Sequence, residues 1–169
     1  MRPSSYGPVF LLMCVFSSTE SAHALPPSPL LGSWKLDISR LSFPRRAKPP
    51  RSVLLTVAAS GVGRWTVVIR TVNADGSARR AESSFNLDGT PTLVSDTAGE
   101  GTAVSVTCPN QRTMIWATAV NGHPADAHVF TVSQSGLEET ETIVGTGPDG
   151  QPHSRTNSWR RVPSTHGPE

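Results

Sequence analysis

Short alternating segments separated by turn residues run through this chain from residue 33 to residue 162, and no useful window holds a helical period. Apolar or small side chains recur at every second position in 52–57 (Val53, Leu55, Val57), in 65–72 (Trp65, Val67, Ile69) and in 81–87 (Ala81, Ser83, Phe85, Leu87). Such alternation gives a strand one face for a core and one for solvent. Asp75-Gly76, Asp88-Gly89, Asn121-Gly122, Ser135-Gly136 and Asp149-Gly150 punctuate the segments, and dipeptides of this kind close hairpins. With 33–37, 92–94, 103–108, 113–120, 127–132, 137–144 and 156–162 the chain offers about ten strands. Most of the connections are too short for a crossover, so successive strands pair antiparallel. The expected fold class is all-β: a single antiparallel up-and-down β-barrel of about 8–10 strands, because closing the sheet removes its exposed edges.

Residues 1–24 are set apart from that fold. Arg2 supplies a basic start, 8–16 an apolar core too short to span a bilayer, and Ala22-His23-Ala24 a small-residue cleavage site. They read as a signal peptide cut after Ala24, which places the mature protein in the periplasm or outside the cell, with no stable membrane insertion. Cleavage removes Cys14 and leaves Cys108 alone, so no internal disulfide supports the domain. Cys108 ends the alternating run Val104, Val106, Cys108 and reads as a small buried hydrophobe. Residues 25–31 read as an extended, proline-rich arm, 32–162 as the barrel domain and 163–169 as a disordered tail. A net charge of +2, with 17% charged residues, points away from nucleic acid.

The two ends of the barrel region carry Gly32-Ser33-Trp34 and Trp159-Arg160-Arg161. Together with Leu31, Lys35-Leu36-Asp37, Ser42-Phe43, Pro49-Pro50, the hairpin 73–76 and the run 145–152, these residues resemble the lipocalin-like, or calycin, β-barrels. Within that group the resemblance is to small exported bacterial proteins of undefined function, and it covers roughly residues 31–162. It implies a lipocalin-like barrel closed at one end by Gly32, Trp34 and Arg161, with the guanidinium lying over the indole. Arg161 takes the arginine place two residues after Trp159, with its neighbour Arg160 as the alternative. None of the further motif segments of a transport lipocalin is present, so no defined lipid or pigment carries over.

The remaining candidates for chemistry are few. His123 and His128 are five apart, which puts them on opposite faces of a strand, and neither has a further ligand at metal spacing. His128 shares a face with Phe130 and Val132, where a polar group can orient a molecule in an apolar cavity. Glu138, Glu139 and Glu141 alternate with threonines and read as a solvated barrel wall. Arg45, Arg46, Lys48 and Arg51 lie on a proline-rich loop and read as a solvated connection. No nucleophile elbow, phosphate loop or zinc-protease helix is present.

Trp65, Phe85, Met114, Trp116, His128 and Phe130 face inward by alternation, and they either fill the barrel or line a cavity. The expected function is non-enzymatic binding of a small hydrophobic or amphipathic ligand by these residues, without metal or cofactor. The alternative is a protein-interaction module resembling periplasmic protease inhibitors, acting through the 25–31 arm and loops. Such inhibitors usually carry a disulfide, which this chain lacks. The oligomeric state is left open.

Overall fold

The computed structural model describes residues 27–41, 48–94, 102–147 and 150–163. The expected signal peptide, Arg45 and Arg46 of the basic loop, and the tail beyond Pro163 lie outside the described residues.

Ten strands are formed: β1 (Gly32–Leu36), β2 (Ser52–Gly61), β3 (Arg64–Val72), β4 (Ala78–Asn86), β5 (Thr92–Leu93), β6 (Thr102–Asn110), β7 (Thr113–Val120), β8 (His123–Val132), β9 (Glu138–Thr146) and β10 (Pro152–Val162). A single 3-10 turn, Ile38–Arg40, follows β1. Every pair is antiparallel, and the sheet order is β4-β3-β2-β1-β10-β9-β8-β7-β6-β5. The first strand therefore pairs with both the second and the last. This brings Trp34 opposite Leu55 on one side and Arg161 on the other. An antiparallel up-and-down barrel is what the alternating pattern requires.

The wall differs from full closure in one place. β4 and β5 are the two ends of the sheet, and no ladder joins them. β5 has only two residues and pairs with β6 alone among the described strands. β4 instead comes alongside β6. An isolated bridge between Asp88 and Thr107 ties the connection after β4 to β6.

A packed layer fills one end of the interior. There Trp34, Leu55, Trp65, Phe85, Met114 and Trp159 pack with valines of β2, β3, β6 and β8 into a continuous core. Burial of this kind stabilises at about 25 cal/mol per Å² of apolar surface. Cys108 is half-buried against the same core, and burial pushes its thiol pKa up to about 11. That environment suits a packing residue rather than a nucleophile.

The end of the barrel is sealed by the two terminal motifs. Arg161 Cζ lies 4.1 Å from the centre of the Trp34 ring, and Trp34 Nε1 donates to the Leu30 carbonyl at 3.1 Å. The guanidinium donates through Nε to the Gly136 carbonyl at 2.6 Å, through Nη1 to Leu31 at 2.8 Å and through Nη2 to Pro29. Arg160 points elsewhere: its side chain is 66% exposed and 3.8 Å from Asp37. Gly32 has φ +127, and a Cβ there would collide with Arg161 Nη1. Gly32→Ala is therefore expected to cost about 1–3 kcal/mol, seen as a lower urea midpoint with unchanged far-ultraviolet dichroism.

Residues 27–31 of the expected extended arm fold back in a turn, closed by the Leu31 N–H donating to the Ser28 carbonyl at 3.0 Å. Leu30 is fully buried in the core, Ser28 Oγ donates to the Gln111 carbonyl, and the Pro29 and Leu31 carbonyls accept from Arg161. Four carbonyls and an aliphatic side chain pin this segment beneath the barrel. An interaction role resting on its freedom is not what the geometry favours.

Candidate functional site: an interior cavity

Beyond the packed layer the barrel holds a cavity of about 260 Å³. Strand alternation explains its walls. Leu55, Val67, Ile69, Ala81, Ser83 and Val104 come from successive inward positions of β2, β3, β4 and β6, and Trp116, Phe130 and Trp159 from β7, β8 and β10. Polar groups are fewer: Glu82, Ser83, Thr102, Thr118, His128 and Glu141. Small residues on β4 leave the space, and large aromatics across from them bound it.

Three of the six residues expected to contact a ligand reach the cavity: Trp116, His128 and Phe130. Trp65, Phe85 and Met114 do not line it; they belong to the packed layer, at 8%, 1% and 0% exposure. Alternation reports which face a residue occupies but not its depth along the barrel axis. The two sets still touch, since the rings of Phe85 and Trp116 are 5.3 Å apart. Trp116 continues the cluster to His128 and Phe130, each with centroids 6.3 Å away, and His128 stacks nearly parallel to Phe130.

The acidic run on β9 departs most from the sequence reading. Glu138 is exposed, but Glu139 and Glu141 are buried, at 1% and 5% exposure. Both faces of β9 are polar here, so periodicity identifies the two faces without saying which one turns inward. Thr140 is exposed on the outer face, and the carboxylates face the core. Phe130 and Asn157 stand directly across from Glu141 on the neighbouring strands, as do Val132 and Trp159 for Glu139.

Glu141 is well supplied with donors. His128 Nδ1 is 2.7 Å from Oε1, and Oε2 accepts from Asn157 Nδ2 at 2.7 Å and from Trp159 Nε1 at 3.1 Å. A ring nitrogen facing a carboxylate at this distance carries its proton on that side, so Nε2 of the neutral ring is an acceptor. Glu139 is the opposite case. Both its oxygens are buried without a hydrogen-bond partner among the described residues, as is Trp116 Nε1. Burial first, then the charge of Glu141, push the Glu139 carboxyl up to about 8, against the pull of Arg161. The buried carboxylates had a signal in the sequence, the spacing of Glu139 and Glu141 in step with Ile143, but Thr140 and Thr142 between them masked it.

Among the described residues no cluster of His, Cys, Asp or Glu has the makings of a metal site. His153 reaches Asp126 at 3.4 Å, away from the cavity, while His123 is exposed at the start of β8.

No protein-family model matches the sequence, and no curated protein does either. Solved structures do. Fatty-acid-binding protein 1 of Echinococcus granulosus superposes with a TM-score of 0.54 at 16% identity, covering 80% of this chain and 98% of that one. Wild-type fluorescent protein UnaG gives 0.52 at 14% identity, covering 79% and 97%. The likeness is one of fold. It confirms an all-β, up-and-down antiparallel barrel of ten strands among the described residues, with almost the whole of each neighbour's length matched.

Proposed function

We propose that this chain is an exported, non-enzymatic barrel that holds a small apolar or amphipathic molecule in its interior, in the periplasm or outside the cell. The observation that carries the reading is the cavity of about 260 Å³, with apolar walls and one oriented polar pair, His128–Glu141. Ligand sites have this composition: mostly apolar lining with a few placed polar groups. A structural neighbour named as a fatty-acid-binding protein supports it, because the same architecture there belongs to a binder of hydrophobic molecules. Export rests on the sequence features of residues 1–24.

Filling the cavity tests the reading. Ala81 lines it from β4, and Ala81→Trp is expected to weaken binding of an environment-sensitive hydrophobic dye at least tenfold while the far-ultraviolet dichroism stays that of the parent. Native mass spectrometry of the protein from its own host is expected to show a bound small molecule. Absence of any bound molecule, together with dye binding indifferent to Ala81→Trp, would sink the proposal.

A further inference from the structure

The charges facing the cavity are one-sided. Its described lining contains Glu82, Glu141 and His128 but no Lys or Arg. Glu82 is paired with Arg80 at the exposed rim. Glu141 is interior, and two of its three partners, Asn157 and Trp159, are neutral donors; only His128 can carry a charge. Arg161 is committed elsewhere, stacked on Trp34 with its donors on three backbone carbonyls. The rest of the polar wall also favours positive charge. In its neutral form His128 offers the Nε2 lone pair, and the Trp116–Phe130 cluster offers aromatic faces, which attract cations. The whole chain carries a net charge of +2, so this interior runs against the overall balance.

A carboxylate placed in the cavity would meet Glu141, whose one ionisable partner, His128, is already held against it at 2.7 Å, whereas an ammonium would meet a carboxylate and aromatic faces. We infer that the ligand is a hydrophobic amine or related organic cation. Its apolar body lies along Val67, Ile69 and Val104, and its charged head beside Glu141 and the Trp116–Phe130 rings. This assignment rests on the cavity-binding reading above and names the ligand class for the same site.

Three probes of one chain length separate the possibilities: decylamine, decanol and decanoate, titrated at neutral pH by calorimetry and by displacement of the hydrophobic dye. The expected result is decylamine bound at least tenfold more tightly than decanoate, with decanol between them. Glu141→Gln is expected to narrow the gap at least fivefold. Ser83→Lys, which adds a cation to the opposite wall, is expected to move the preference at least tenfold toward decanoate. Decanoate bound as tightly as decylamine by the parent protein would overturn the inference, whether or not either variant folds. A preference untouched in both folded variants would overturn the assignment to Glu141. Decanol bound with decylamine excluded would overturn the cation assignment and leave the cavity reading standing, and failure of all three probes to bind would overturn both.

Discussion

Replacing Arg161 with alanine is expected to lower the unfolding free energy by about 3–5 kcal/mol, measured as the shift of a two-state urea transition. A stack over an indole alone is worth roughly 1–2 kcal/mol. The larger figure follows from what else the guanidinium holds. Its donors satisfy the carbonyls of Pro29, Leu31 and Gly136, so its removal leaves acceptors unpaired at the barrel floor. It frees the segment that carries Leu30 into the core. Arg160→Ala is the matched control. Its side chain is exposed and at the limit of ion-pair distance from Asp37, so the midpoint is expected to stay where it was. Equal midpoints for Arg161→Ala and the parent would mean that the seal does not depend on the guanidinium.

Glu139→Met is expected to raise stability, and to do so most at alkaline pH. The carboxyl of the folded protein titrates near 8 and that of an unfolded chain near 4.5. Between those values the native state keeps a proton that the unfolded chain has given up. The contribution of this group to stability is therefore complete below about pH 4.5, declines as pH rises, and is lost by about pH 8. A displacement of that size corresponds to a swing on the order of 4 kcal/mol. Methionine fills a similar volume without a charge or an unpaired acceptor. Urea midpoints taken from pH 5 to pH 9 are expected to fall for the parent protein and to run flatter for the variant. A parent profile that rises over this interval would contradict the burial of an unpartnered carboxyl.

The fold was largely legible in the sequence because strand alternation and Gly-containing turns are local signals. All ten strands stand where the pattern indicates, although β2, β4, β8 and β10 extend past the residues at which alternation becomes hard to see. The Gly32–Trp34–Arg161 cluster was readable from motifs at the two ends, and the β1–β10 register brings them together. The cavity was only half legible. Trp116, His128 and Phe130 reach it, but nothing local distinguishes their depth from that of Trp65, Phe85 and Met114. Glu139 and Glu141 were hidden for a different reason. A carboxylate enters a core only when the surrounding strands supply its surroundings, and for Glu141 these are His128, Asn157 and Trp159 from β8 and β10. That information is distributed over three strands.

The missing ladder between β4 and β5 sets where the wall of the cavity resists widening least. Around the rest of the barrel, widening the interior would break rows of backbone hydrogen bonds. Along this one line the halves meet through side chains, with Ala81 and Ser83 of β4 on one side of the cavity and Val94, Thr102 and Val104 on the other. Parting them there breaks no ladder: besides dispersion contacts, each worth about 0.1–0.2 kcal/mol, the line is tied by the Asp88–Thr107 bridge and the Gly89 N–H donating to the Val106 carbonyl at 3.0 Å. The barrel thus has a seam rather than a uniform girth: along this line fewer backbone hydrogen bonds resist widening than between the laddered strands of the described sheet.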